Sequence, residues 1–285
     1  MVGLLPYERK RLASLQEAID NGFKLRIDVG LSHSMPYALK WASTDKQIVV
    51  MGFEPHLGNF YECEKLLYQT SENLSQRIFL FNFALTNLDD FAELEFWATK
   101  SVMEGIDTGR SSLLEPQKDY QGWIKERYIV RTAPIFKFLD ELELQQIEFL
   151  KVDTQGFDLR VLRGFRENLK KVLMIMVEAD STEYYKGANN DIEVKNYLST
   201  YGFSKIKELV SRKQKSEAPS DFIFLNSTIT TYTQVPRPMN YHFRYNPIQF
   251  IYIVMKKPHE FSVALISSSK TSLGSLLWKL RKYLS

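Results

Sequence analysis

Six short apolar runs, rich in β-branched and aromatic residues, punctuate the chain: KLRIDVG at 24–30, QIVVMGFEP at 47–55, RIFLFNFAL at 77–85, IEFLKVD at 147–153, VLMIMVE at 172–178 and DFIFLN at 221–226. Most are separated by segments whose apolar residues recur three or four positions apart, the spacing of an amphipathic helix. Strands alternating with helices are the rhythm of a parallel sheet joined by crossover connections. VLMIMV and RIFLF are apolar almost without a break, as expected of strands covered on both faces. The fold class is therefore α/β. Crossover helices are predicted at 36–43, 57–74, 135–144, 159–170 and 192–201, with Asp191 a candidate cap for the last. Between 86 and 134 the alternation fails. AELEFWAT reads as an exposed strand, GIDTGRSSLLEPQ as a loop and YIVRTAPI as another strand, so 86–134 is an insertion. The polar stretch SRKQKSEAPSD precedes the last run and predicts a C-terminal hairpin.

A chain of 285 residues, 44% hydrophobic and 25% charged, can bury its own core. The organisation expected is an N-terminal helix over 1–21, one α/β domain over 22–226 and an extension over 227–285. The extension is basic: it holds eight Lys and Arg against one Glu, a balance of +7, which leaves 29 minus 33, or −4, for the rest. No basic-aromatic motif accompanies that charge, so nucleic acid is not an expected partner. Within it, 271–285 sets Leu273, Leu276, Leu277, Leu280 and Leu284 on one helical face beside Lys279, Arg281 and Lys282. Such a helix docks on its own core, on a second subunit in a homo-oligomer, or peripherally on an anionic membrane surface. Cys63 is the single cysteine, the N-terminus lacks the apolar run of a signal peptide, and no segment approaches the roughly 20 apolar residues of a membrane span. A cytoplasmic location, peripheral to the inner membrane surface if the tail engages it, is the expectation.

The chemistry gathers where strands end. Asp28 and Gly30 close the first run; a glycine there lets the backbone come close to a bound nucleotide, although a plain turn explains most isolated DVG sequences. Glu54 closes the second, 26 positions after Asp28, near the spacing at which such folds place a carboxylate for a ribose hydroxyl pair. Asp153 and Glu178 end two further strands.

Several of these segments, in order, resemble FkbM-type S-adenosylmethionine-dependent methyltransferases. They are DVG, FEP, ALT at 84–86, GRSSL at 109–113, LKVDTQGFDLRVLRG at 150–164 and VEAD at 177–180, and the likeness spans roughly 22–226. It implies a Rossmann-like class I methyltransferase fold that binds S-adenosylmethionine and methylates a hydroxyl of a sugar, glycan or secondary-metabolite acceptor. It places Asp28, Gly30 and Ser32 in the cofactor loop, Glu54 on the ribose, Asn82 and Ala84 beside the adenine, and Asp153 where donor and acceptor meet. One departure stands out. The family loop carries a second glycine where this chain has Ser34, and a non-catalytic FkbM-like binding module in a biosynthetic complex is the alternative that this opens. A dinucleotide-binding dehydrogenase or epimerase is disfavoured by the lack of GxGxxG after the first strand.

An acceptor hydroxyl needs help to lose its proton. Asp153 as base with Glu178 orienting it is preferred; Asp153, Glu178 and Asp180 holding Mg²⁺ is the second mechanism. His33 and His56 lie beside site motifs but read equally as solvent-facing or packing residues. Asp153 could also be a plain helix cap. Trp97, Tyr120 and Trp123 in the insertion are candidates for an acceptor platform, or ordinary core.

Overall fold

The computed structural model describes residues 3–99, 109–179, 182–209 and 220–229. In chain order the elements are α1 (Pro6–Asp20), β1 (Lys24–Val29), α2 (Pro36–Thr44), β2 (Ile48–Phe53), α3 (Leu57–Gln69), α4 (Glu72–Ser75), β3 (Ile78–Phe81) and β4 (Ala84–Thr86). They continue with β5 (Ala92–Thr99), β6 (Ile124–Pro134), α5 (Phe136–Leu139), β7 (Ile147–Val152), α6 (Asp158–Arg163), β8 (Met174–Ala179), α7 (Asp191–Thr200), β9 (Phe203–Leu209) and β10 (Ser220–Asn226). A seven-stranded sheet runs in the order β3-β2-β1-β7-β8-β10-β9. All its pairings are parallel except those of β10, which lies antiparallel between β8 and β9 as the far arm of the expected hairpin.

This order locates the site before any side chain is considered. The chain starts in the middle of the sheet at β1, builds outward through β2 and β3, then returns to lay β7 on the other side of β1. Connections therefore leave β1 and β7 in opposite directions, opening a crevice beyond their carboxyl ends. The strands themselves are core. Every residue of β2, β3 and β7 is buried. Phe53, Phe81 and Phe83 gather around Phe138 at ring separations of 5.1 to 5.4 Å.

The insertion is a second, three-stranded sheet in the order β4-β6-β5, with Ala84, Phe96, Ala98 and Val130 as its own small core. The run at 77–85 is thus two strands, not one. β3 stops at Phe81, the chain bends at Asn82 and Phe83, and Ala84 pairs with Thr132 of β6. Asn82 holds the bend, its amide donating to the carbonyls of Glu54 and Pro55 at 2.8 and 3.2 Å. Ala84 accordingly lies on the second sheet rather than at the end of the third strand of the first.

Three helices are shorter than their apolar spacing predicts. The 57–74 segment breaks at Thr70 into α3 and α4. The 159–170 segment breaks at Gly164, where a Cβ would come within 2.1 Å of the Thr86 carbonyl, and continues as a 3-10 turn. Over 135–144 only Phe136–Leu139 is helical, yet Phe136, Phe138, Leu139, Leu142 and Leu144 are all buried, so the core and not a helical stripe explains their spacing. α7 is capped by Asn190, not Asp191: the Asn190 side chain accepts from the Glu193 amide while Glu193 returns to the Asn190 amide. Residues 230–285, including the amphipathic segment 271–285, lie outside the described residues, as do Asp180 and the linker at 210–219. Among the described residues no helix is long and apolar enough to cross a membrane.

Candidate functional site

A half-open cleft, about 640 Å³ counted with the solvent at its mouth, lies at the crevice. Gly30 and Ser32 after β1, Glu54 after β2, Ala84 of β4 and Asp153 after β7 all stand on its wall, so five of the eight site residues expected from sequence share one surface. Ser112, in the loop after β5, and Gln155 complete its polar side, while Phe83, Leu85 and Phe96 form an apolar end.

Gly30 is dictated by its neighbour. Its φ is +82°, and a Cβ there would lie 1.9 Å from the Asp153 carbonyl oxygen. The loop that follows is held by Glu54, whose two carboxylate oxygens accept the Ser32 and His56 amides at 2.9 Å each. Ser32 and Met35 take positive φ, at 58° and 35°, but Ser34 does not. The turn asks for no glycine at Ser34, so the departure from the family loop leaves this backbone undisturbed. His56 is buried and caps α3, accepting the Asn59 amide on Nδ1 at 3.2 Å, whereas His33 is exposed.

Two expected cofactor residues stand behind the wall rather than on it. Asn82 clamps backbone, as described above. Asp28 is 1% exposed; one carboxylate oxygen accepts the Ala38 amide near the start of α2 at 3.2 Å, and the other lies 3.5 Å from the Lys151 ammonium. Lys151 pairs with Asp28 in the β1–β7 register and is buried too. Its ammonium donates to the Gly30 carbonyl at 2.8 Å, sits 3.3 Å from Asp153 and lies over the Tyr37 ring at 5.3 Å. Burial pushes Asp28 up to about 6 against the pull of Lys151. Lys151 itself is held above its ordinary range: burial lowers it, but the charges of Asp153 and Asp28 outweigh that.

Asp153 keeps 36% of its side chain accessible, facing the cleft. Burial alone would raise it, yet Lys151 and the hydrogen bonds of Glu178 and Gln155 hold it below the ordinary carboxylate range. Glu178, on the neighbouring strand β8, moves well above that range through burial and the charge of Asp153. Of the two, Glu178 is the carboxyl group whose surroundings favour the proton and Asp153 the one whose surroundings favour the charge. Gln155 ties them together, its amide donating to Asp153 at 3.1 Å and to Glu178 at 2.7 Å. Asp221 faces Glu178 across the β8–β10 register, and burial and the Asp153 charge push it up to about 6.

No side chain caps α6, whose N-cap position is Phe157; the turn before it is tied down by Asp158 in the helix's first turn. The Asp158 carboxylate accepts the amides of Thr154 and Gly156 and the Thr154 hydroxyl, at 2.9, 3.1 and 3.0 Å. That leaves Asp153 free of the turn. Among the described residues no group of His, Cys, Asp and Glu is arranged to hold a metal ion. Of the aromatic candidates, Trp97 stacks beneath Arg127 at 4.8 Å and is not part of the cleft wall, while Tyr120 packs edge-on against Tyr184 at 5.0 Å.

The profile of the "Methyltransferase FkbM domain" matches residues 28–205. The chain belongs to the FkbM methyltransferase domain family. The matched segment contains every residue of the FkbM site described above except Asp221. None of the curated proteins compared matches the chain. Solved structures similar to it include the METTL16 MTase domain, with 13% identity, 79% of this chain and 68% of the other covered, and a TM-score of 0.41. Another is M. capricolum TrmK in complex with S-adenosyl-homocysteine, at 8% identity, 98% and 94% coverage, and a TM-score of 0.39. The α/β architecture with its mostly parallel seven-stranded sheet is that of a class I methyltransferase.

The FkbM site suits S-adenosylmethionine on its own chemistry. Gly30 lets the backbone floor approach a ligand, Glu54 offers carboxylate lone pairs on the wall, and the Phe83, Leu85 and Phe96 end accepts a flat apolar surface. Carboxylates outnumber the one buried ammonium, which favours a ligand bearing positive charge.

Proposed function

We propose that this FkbM domain transfers a methyl group from S-adenosylmethionine to a hydroxyl of a sugar, glycan or secondary-metabolite acceptor. The observation that carries the reading is the Asp153–Glu178 pair, joined by Gln155 beside the cleft. S-adenosylmethionine, when bound, supplies an electrophilic methyl group. The protein then has to position the acceptor and take its proton.

Asp153, kept ionised by Lys151, is the proton acceptor. Glu178, whose surroundings favour its protonated form, hydrogen-bonds Asp153 and shares in the pair's charge. Gln155 fixes the separation of the two carboxyl groups, and Glu54 and the Gly30–Ser32 loop hold the donor. A metal-free route fits a carboxylate already paired with an ammonium 3.3 Å away. The non-catalytic alternative rested on Ser34, whose backbone makes no demand for glycine.

The test is methyl transfer from labelled S-adenosylmethionine to cell-extract glycans by the wild-type protein and by Asp153→Asn. Turnover is expected to fall by roughly a hundredfold or more in the variant, the scale of a lost general base, with melting temperature and cofactor affinity retained. A variant that turns over normally refutes the role of Asp153. Labelling of nucleic acid in place of glycan refutes the acceptor class.

A further inference from the structure

A second, half-open cavity, about 390 Å³ counted with the solvent at its open side, adjoins the cofactor cleft, and Gln155 stands on the wall of both. We infer that this cavity is the acceptor pocket and that it admits an uncharged, hydroxyl-rich ring while rejecting a phosphorylated one. The inference rests on the methyltransferase reading above and adds where the acceptor sits and what selects it.

The geometry points there in three ways. First, Asp153 lines the cofactor cleft whereas Glu178 lines the second cavity, so the two halves of one hydrogen-bonded pair face the two chambers with Gln155 between them. A hydroxyl entering from the second cavity meets the pair from the side opposite the cofactor. Secondly, the cavity has fixed aromatic walls. Tyr184 is braced edge-on by Tyr120, and Tyr185 is buried with its hydroxyl donating to the Arg110 carbonyl. Such faces receive the C–H side of a saturated ring. Small residues line the cavity as well: Gly156, at φ +87°, packs so closely on Ala188 that a Cβ on it would lie 2.8 Å from the Ala188 Cβ. Thirdly, Asn189, on the cavity wall, carries a buried side-chain oxygen with no hydrogen-bond partner, which a ligand hydroxyl can reach once that side chain turns toward the cavity.

Selection follows from charge. No Lys, Arg or His stands among the cavity's described lining residues, whereas Asp158 and Glu178 do. Phosphate sites are built from Arg and Lys or from unclaimed amides at a helix start. Here the amides of Thr154 and Gly156 before α6 are already taken by the Asp158 carboxylate. A phosphate would meet the Asp158 carboxylate and no cationic side chain to balance its charge, while neutral hydroxyls can donate to that carboxylate.

Saturation-transfer NMR on the full-length protein, with a panel of methyl glycosides and the matching sugar 6-phosphates, tests the proposal. Ring protons of at least one glycoside are expected to saturate, its phosphate several-fold less. Ala188→Trp, which fills the cavity, should abolish the effect while calorimetry shows unchanged affinity for S-adenosylmethionine. Tyr184→Ala, which removes a wall without adding bulk, should weaken it several-fold and keeps the test decisive if the bulkier variant does not fold. Phosphates binding as well as glycosides, a signal that survives both substitutions, or no saturation of any panel member would each overturn the proposal. Failure of the wild-type protein to bind S-adenosylmethionine in the same calorimetry would instead sink the methyltransferase reading and leave the glycoside result standing.

Discussion

Replacing Lys151 by Met removes the ammonium beneath the site and keeps most of its stem volume. Lys151 is 4% exposed, 3.5 Å from Asp28 and 3.3 Å from Asp153. At an effective dielectric constant of about 20, one such contact is worth about 5 kcal/mol before relaxation. Breaking a buried pair by removing one partner typically costs about 3 to 5 kcal/mol net. That loss should depend on pH, because a stranded carboxylate can escape by taking a proton. In the wild type Asp28 already titrates at about 6 in place of 3.8. The folded state thus holds this proton more tightly than the unfolded chain. Its contribution to stability is full below about pH 4 and falls by roughly 3 kcal/mol as the pH rises through 6. Without Lys151, Asp28 moves further up and Asp153 loses what holds it down, so the decline deepens and extends above pH 6. Urea unfolding followed by circular dichroism should show Lys151→Met destabilised by about 3 to 5 kcal/mol at pH 8 and by less than about 2 at pH 5. An equal loss at both pH values, or less than about 1 kcal/mol at pH 8, would refute the charge argument.

Two other substitutions separate support from ligand contact. Gly30→Ala places a Cβ 1.9 Å from the Asp153 carbonyl at a φ of +82°, so the protein should lose more than about 3 kcal/mol in thermal or urea unfolding, with or without ligand. Glu54→Gln keeps the shape of the side chain but removes its charge; calorimetry should show S-adenosylmethionine and its demethylated product binding roughly tenfold more weakly, the scale of a charge-assisted hydrogen bond, and unchanged affinity would remove Glu54 from the cofactor site.

Much of this site could be read from strand ends alone. An apolar run followed by a glycine or carboxylate marks where a parallel strand leaves the sheet, which is why Gly30, Glu54 and Asp153 fall on one wall. Asp28 misled for the same reason: it ends a strand, but its alternation turns the side chain inward to Lys151 and α2. Lys151 carried a readable signal as the single charge among apolar neighbours in LKV. Asp221 carried none, because its place beside Glu178 depends on β10 inserting between β8 and β9, a pairing that no local pattern encodes. RIFLFNFAL gives no sign that the chain changes sheets in its middle, so the sequence does not show that Asn82 clamps the bend or that Ala84 reaches the cleft from a second sheet. Where helices were overdrawn, at 135–144 and 159–170, buried residues kept the right spacing while tertiary contacts broke the backbone.

Gln155 was hidden most completely, since its role depends on a backbone angle. It takes φ +55°, where a side chain with a Cβ is disfavoured by roughly 1 to 2 kcal/mol, and the Ser112 hydroxyl holds its carbonyl there at 2.9 Å. A glycine would make this turn without strain. The strain is explained if the turn must bring an amide back over Asp153 and Glu178, a use for which glycine has no atoms. Two variants divide these effects. Gln155→Ala loses both amide hydrogen bonds and keeps the strain; Gln155→Gly loses the same bonds and relieves it. The strain relief, less roughly 0.4 to 1 kcal/mol for the greater entropy of an unfolded glycine, leaves Gln155→Gly more stable than Gln155→Ala by about 0.5 to 1 kcal/mol. Neither should retain wild-type turnover, and both should shift the pH profile of turnover, because the carboxyl pair loses the group that fixes its separation. If the glycine variant proves no more stable than the alanine variant, the angle carries no strain. If it is more stable and still fully active, then the chain tolerates that strain for some purpose other than the carboxylates.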